Sequence, residues 1–271
     1  MRIARVFPTR TSMSPQDRDA YFGLPEFFMP EYDEVHISVT FTWDIEKAEW
    51  LKKQWEGVAP VKIGGPAIQG EPKDGFRSGM YLREDVTITS RGCPNRCPWC
   101  QVQSPLVELE DIQPGRIIQD NNLLACSRKH LDRVFSMLQS QRRIEFSGGF
   151  ESSKITDSII EDLRGLNIYQ IFLAHDHQNR LKSLKLAVQT LAKYFNRNQL
   201  RCYVLIGFDS DSPEQAEGRL RQVWDLGLLP FAMLYRNLAG EYPEPKNEWK
   251  QFQRSWSRPA AIKFIMKEAR L

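Results

Sequence analysis

The sequence predicts an α/β fold built on parallel strands. From residue 86 onward, strand-like and helix-like segments alternate, which is typical of parallel βα repeats. Hydrophobic residues make up 41% and charged residues 26% of the 271-residue chain, as in an ordinary globular protein with one large domain and a small appendage. Polar or glycine-containing segments follow the predicted strands, and in parallel folds such segments meet at one edge of the sheet.

Residues 1–80 form a small predicted region with its own strand–helix–strand pattern. The predicted elements are strands over 3–7, 34–41 and 61–66 and a helix over 44–55. This order predicts a Rossmann-like α/β appendage. Residues 69–83 combine glycines with charged side chains and predict a linker into the next domain.

Residues 84–240 form the predicted core, with six βα units. The predicted strands are 86–90, 116–120, 143–147, 168–174, 201–207 and 229–235, and the helices lie near 128–140, 155–165, 179–196 and 213–226. Ser212 and Gln215 form a capping box that marks the start of the last of these helices. Residues 241–271 are basic and aromatic, and predict a C-terminal helical extension that either packs on the core or presents a solvated charged face.

The segment from Arg91 to Cys100 indicates a metal centre. Cys93, Cys97 and Cys100 are three of the five cysteines, and their spacing is C-x3-C-x2-C directly after the first core strand. Three clustered thiols cannot all pair as disulfides within the loop. A structural zinc site takes four protein ligands, whereas a cubane cluster held by three cysteines keeps one iron open. On the residues alone both sites are possible, and Cys126 or His130 would be the fourth zinc ligand.

With Trp99 just before the last cysteine, this motif resembles that of the radical S-adenosylmethionine (SAM) superfamily. The resemblance covers about residues 84–236 and implies a partial (β/α)6 barrel. It implies that the three cysteines hold a 4Fe–4S cluster whose open iron SAM chelates, with Trp99 near that cofactor. It also implies reductive cleavage of SAM to a 5′-deoxyadenosyl radical, which abstracts hydrogen from a substrate that the sequence does not identify. The implied partner is a one-electron donor such as flavodoxin or ferredoxin.

Polar and glycine residues at the ends of the later strands are further candidates for binding SAM. In strand order they are Asp120 and Asn122, then Gly148, Gly149 and Glu151, then His175, Gly207 and Tyr235. The third-strand group resembles the family's Gly-Gly-Glu motif, interrupted by Phe150, and either it or the second-strand pair can hold the amino group of SAM. The alternative interpretation of His175 is a residue of a polar loop, and that of Tyr235 is a core side chain.

The N-terminal region bears on the alternative functions. Residues 62–67 resemble the closing strand of the cobalamin-binding domains that precede some radical SAM cores. The Asp-x-His-x-x-Gly motif of that family is absent, and about 80 residues is too short for its five-stranded sheet, which predicts a vestigial region without cobalamin. One alternative function is nevertheless a cobalamin-assisted radical methyltransferase. The other is a non-catalytic zinc module that binds nucleic acid or protein.

Charge and hydropathy limit the predicted partners and location. The chain has 37 basic and 34 acidic residues, and a net charge of +3 does not indicate nucleic acid. No run of about 18 apolar residues occurs, and the N-terminus lacks the apolar core of a signal peptide. The sequence therefore predicts a cytoplasmic protein without membrane association, and the reducing cytoplasm favours metal binding over disulfides for clustered cysteines.

Overall fold

The computed structural model describes residues 1–68 and 79–268 and confirms a mixed α/β fold with parallel sheets. The chain divides into two compact units, residues 1–86 with 238–240 and residues 87–237 with 241–271. Residues 69–78 of the predicted linker lie outside the described residues. The division into three parts at residues 80–84 and 240 stays a prediction.

The first unit contains a four-stranded parallel sheet in the order β2-β1-β3-β4. Its elements are β1 (Ile3–Val6), β2 (Ala20–Tyr21), β3 (Glu34–Ser38), α1 (Ile45–Trp55) and β4 (Val61–Gly64). Leu51 and Trp55 of α1 are fully buried in one cluster with Val35 and Ile37 of β3. The predicted strand–helix–strand pattern is confirmed, and β2 was not predicted because two residues show no periodicity.

The second unit contains a six-stranded sheet in the order β12-β11-β10-β9-β8-β5, in which β8 to β12 pair in parallel. Its strands are β8 (Ile117–Ile118), β9 (Ile144–Phe150), β10 (Ile168–Ala174), β11 (Leu200–Ile206), β12 (Leu229–Leu234) and β5 (Val86–Thr87), of which Thr87 is the first residue of the second unit. The pair β6 (Ser90–Arg91) and β7 (Val107–Glu108) is antiparallel and separate. All six predicted core strands are present, although the first two have only two residues each.

Helices connect consecutive strands from β8 to β12, so the carboxyl ends of those strands share one edge of the sheet. These helices are α2 (Arg128–Leu138), α3 (Asp157–Arg164), α4 (Leu181–Leu191) and α5 (Pro213–Asp225). The capping box of Ser212 and Gln215 is confirmed. Helix α4 is shorter than predicted, because residues 178–180 form a 3-10 turn before it and its last turn ends at Leu191.

The core of the second unit lies between its helices and the sheet. Leu138 of α2, Leu163 of α3, Leu184 of α4 and Leu220 of α5 are each fully buried in one cluster. Burying a leucine side chain contributes roughly 1.5–3 kcal/mol relative to leaving it exposed.

The C-terminal tail is helical, as predicted, and forms α6 (Lys246–Ser257) and α7 (Pro259–Glu268). Trp249 and Trp256 of α6 join the core cluster of the second unit, so the tail packs on the core. Within residues 1–68 and 79–268, no helix has the length and the hydropathy that crossing a bilayer requires.

Candidate functional site

A cavity of about 570 Å³ opens at the carboxyl ends of the strands in the second unit. Its walls contain all three clustered cysteines, residues that follow β8, β9 and β10, and Tyr203 and Leu205 of β11. Nine predicted site residues line it, namely Cys93, Cys97, Trp99, Cys100, Asp120, Asn122, Gly148, Gly149 and Glu151. A wider depression of about 680 Å³ beside α2 contains none of them. Most of the predicted site therefore converges on one cavity.

The short β6–β7 ladder closes the cysteine loop at its base. Arg91 pairs with Val107, and the backbone N–H of Cys93 donates to the carbonyl of Ser104 at 3.1 Å. Gly92 has a φ of +76°, and a Cβ there would lie 1.9 Å from the carbonyl oxygen of Pro105. Only glycine fits this position, so the two ends of the loop can approach closely.

Two of the three cysteine sulfurs accept hydrogen bonds. The Cys93 Sγ accepts from the backbone N–H of Asn95 and from Asn122 Nδ2, both at 3.4 Å. The Cys100 Sγ accepts from the backbone N–H of Val102 at 3.4 Å. Donors of this kind favour the thiolate, which is the form that binds metal.

Burial shifts the pKa values of Cys97 and Cys100, and Arg180 also acts on that of Cys97. Burial raises the pKa of Cys97, and the positive charge of Arg180 acts in the opposite direction. Burial also raises the pKa of Cys100, against the hydrogen bond from Val102. These two groups are therefore protonated thiols at neutral pH, and a metal centre that bound them would release their protons.

Within the described residues, the three cysteines do not form a ready-made site for a single metal ion. In the described part of the chain, no three His, Cys, Asp or Glu side chains are arranged as ligands of one metal ion. His130, a predicted fourth zinc ligand, instead hydrogen-bonds Thr89 Oγ1 through Nε2 at 3.0 Å, and neither it nor Cys126 lines the cavity.

Glu151 is held as a carboxylate beside the cysteines. Its side chain accepts hydrogen bonds from Asn122 Nδ2 at 2.8 Å, from Asn95 Nδ2 at 2.9 Å and from Ser153 Oγ at 2.8 Å. Arg180 Nη1 lies 3.2 Å from Oε1. Burial alone would raise the pKa of Glu151, but these hydrogen bonds and the charge of Arg180 lower it to about 2. The group is therefore ionised across the physiological range.

The two glycines before Glu151 make room for the cavity. A Cβ on Gly148 would lie 1.9 Å from the carbonyl oxygen of Asp120, so the chain beyond β8 and the end of β9 touch here. Gly149 has a φ of +88°, a conformation that side chains disfavour. Phe150 is buried beside Phe146, with ring centroids 4.8 Å apart. The extra residue in the Gly-Gly-Phe-Glu segment is therefore a core side chain.

Both carboxylate oxygens of Asp120 accept hydrogen bonds from the segment before the cysteine loop. It accepts hydrogen bonds from the backbone N–H and the Oγ1 of Thr89 and from the backbone N–H of Ser90, the last at 3.0 Å. These contacts join the end of β8 to the strand that leads into the cysteine loop. Either carboxylate was predicted to bind an amino group. Asp120 instead holds the backbone of Thr89 and Ser90 in place, whereas Glu151 is bonded by side chains in the cavity wall.

Three predicted site residues do not line the cavity. His175 is fully buried, directly after β10. Gly207 has a φ of +72°, and its N–H donates to Asp211 Oδ2 at 2.8 Å. The ring of Tyr235 meets that of Phe208 edge-on at 4.9 Å. All three follow strands as the pattern requires, but tertiary packing decides whether the backbone or side chain of each residue reaches the cavity.

The cavity also contains residues that the sequence patterns did not single out. Asn95 and Arg180 bond Glu151, and Asp176 and Tyr203 form part of the wall. Asn95 lies between Cys93 and Cys97, and this position in the motif was the one sequence feature that could have indicated a role in the site. Arg180 lies in a 3-10 turn, six residues beyond the end of β10, and no motif in the local sequence predicts its role.

The burial of His175 predicts an acid-sensitive fold. Burial lowers the pKa of His175 to about 4, and the charges of Arg219 and His177 act in the same direction. The unfolded chain binds a proton near pH 6.5 and the folded one only near 4, so stability present above 6.5 is lost as pH falls. We expect the free energy of unfolding to drop by about 3 kcal/mol between pH 7 and 4 from this group.

Urea unfolding of wild type and His175→Gln over that pH range measures this loss. The variant should have a flatter profile than wild type, because it lacks the buried imidazole. Equal slopes for wild type and His175→Gln would contradict the expectation.

Comparison with known proteins gives no family assignment. The chain matches no protein-family model, and no curated protein matches it significantly. The functional interpretation therefore depends on the motif and on the geometry of the cavity.

Proposed function

We propose that this protein is a radical SAM enzyme, in which a 4Fe–4S cluster on Cys93, Cys97 and Cys100 reductively cleaves SAM. The observation that carries this proposal is that one cavity joins the three cysteines to an ionised Glu151. A three-cysteine cluster has one iron open to a ligand, and an anionic side chain nearby suits the amino group of SAM. The six strands lie side by side in order of sequence, which supports the proposal of a partial (β/α)6 barrel for the second unit.

When bound, the reduced cluster supplies one electron that cleaves SAM to methionine and a 5′-deoxyadenosyl radical, which takes a hydrogen atom from the substrate. The residues of this chain bind the cluster and SAM and orient them. Glu151 accepts hydrogen bonds from the amino group of SAM, and Arg180 limits the negative charge of the site. Gly149 presents backbone without a side chain to the ligand. Trp99 supplies a planar apolar surface, with its ring parallel to that of His177 at a centroid distance of 6.0 Å.

Anaerobic reconstitution tests the proposal directly. The protein is incubated with iron and sulfide, reduced with dithionite in place of a flavodoxin or ferredoxin, and assayed for 5′-deoxyadenosine after addition of SAM. We expect about four irons per chain and slow release of 5′-deoxyadenosine without substrate. Tight binding of one zinc, with no cluster and no SAM cleavage, would overturn the proposal and favour a zinc module. A parallel sample with added cobalamin distinguishes a cobalamin-assisted methyltransferase by its colour.

A further inference from the structure

One buried amide connects the cysteine loop to the carboxylate of the cavity. Asn122 is 4% exposed, and its Nδ2 donates to Cys93 Sγ at 3.4 Å and to Glu151 Oε2 at 2.8 Å. Both partners are acceptors when they are ionised, so the donor end of the amide must face them. Asn95 also contacts both groups, but its backbone N–H donates to Cys93 Sγ and its Nδ2 donates to Glu151 Oε2, so its side chain alone does not connect them.

The backbone holds this side chain in place from both directions. Two residues earlier, Asp120 is anchored to Thr89 and Ser90. The side chain of the adjacent Asn121 accepts from the backbone N–H of Gly92 at 3.0 Å. After Asn122, its own carbonyl accepts from the N–H of Ala125 at 3.1 Å and starts a 3-10 turn. The amide is therefore pre-organised at a junction between β8 and the cysteine loop.

The acceptor end of the same amide has no partner. Asn122 Oδ1 is buried and makes no hydrogen bond within the described residues. Leaving a buried carbonyl oxygen unpaired is unfavourable, and in a cavity wall a ligand N–H removes that penalty. Asn122 lines the cavity together with Glu151, and its amide has one acceptor atom without a partner.

We propose that Asn122 is a positioning residue that couples the cluster to the binding of the SAM amino group, an inference that rests on the proposed function. Its N–H bond to Cys93 stabilises the additional negative charge of the reduced cluster, which raises the reduction potential. Its second N–H fixes the orientation of Glu151. Its Oδ1 accepts a hydrogen bond from the amino group that Glu151 also binds.

Asn122→Ala tests these roles with readouts that do not depend on turnover. We expect the reconstituted variant to keep about four irons but to show a midpoint potential more negative than that of wild type, measured without SAM. SAM affinity, measured from the change in the electron paramagnetic resonance signal of the reduced cluster, should fall about 10- to 100-fold. Asn122→Asp keeps the shape of the side chain and replaces the donor with an anionic oxygen, so its potential should be more negative still.

Ser153→Ala is the matched control. Ser153 is exposed and donates to Glu151 but touches no cysteine, so its loss should weaken SAM binding modestly and leave the potential unchanged. Wild-type potential and SAM affinity in both Asn122 variants would overturn the inference while the proposed function stands. A wild-type protein that assembles no cluster would overturn the proposed function and this inference with it.

Discussion

Cys97→Ala should abolish both the cluster and SAM cleavage. Each cysteine of a three-cysteine cluster binds its own iron, and no side chain in the described part of the cavity is a fourth cysteine. The variant should therefore retain far fewer than about four irons per chain, and release of 5′-deoxyadenosine should fall to background. Iron analysis, the absorbance of the reconstituted protein and the 5′-deoxyadenosine assay measure this effect.

Cys126→Ala is the control for that experiment. Cys126 is buried outside the cavity, where burial raises its pKa to about 11, so it behaves as a small apolar side chain. Its replacement should leave the iron content and SAM cleavage near those of wild type. If Cys126→Ala lost metal as completely as Cys97→Ala, then Cys126 would be a fourth ligand, and the zinc module would become the better explanation.

Gly148→Ala should have the second-largest effect. The added Cβ would lie 1.9 Å from the carbonyl oxygen of Asp120, and backbone cannot move away without separating the chain beyond β8 from β9. We expect a loss of about 3 kcal/mol in the free energy of unfolding. SAM cleavage should also be lost in the folded fraction, because Asn122 and Glu151 lie on the two segments that would separate. Urea unfolding and the 5′-deoxyadenosine assay measure the two effects.

A glycine-to-alanine substitution at another position of the second unit should raise the free energy of unfolding instead of lowering it. Gly218 lies inside α5, and a Cβ there would have nothing within 4 Å. Gly218→Ala should therefore stabilise the protein by about 0.5–1 kcal/mol, because alanine loses less backbone entropy in a helix. Wild-type stability in Gly148→Ala would mean that the two segments are not in contact at this point.

The elements that follow from local chemistry could be predicted without the structure. The capping box of Ser212 and Gln215 depends on residues three positions apart, and the long strands β10, β11 and β12 are recognisable from their own composition. The two-residue strands β2, β6 and β7 were not predicted as separate strands, whereas the equally short β5 and β8 lie within the predicted strands 86–90 and 116–120. Helix α4 was predicted too long because its apolar stripe continues past Leu191, where the backbone leaves the helix.

The residues of the candidate site also fall into those predictable from local sequence and those that depend on the tertiary structure. The spacing of Cys93, Cys97 and Cys100 is local, so the sequence by itself determined that these thiols share one loop, and the order of the strands placed Glu151 at the same edge of the sheet. The roles of Asp120 and His175 were decided only by tertiary packing. Asp120 accepts hydrogen bonds from the backbone N–H groups of Ser90 and Thr89, 30 and 31 residues away, and His175 is fully buried. A hydrogen-bond partner that is distant in sequence leaves no periodic trace, so contacts such as that of Asn122 with Cys93 exist only in the folded chain.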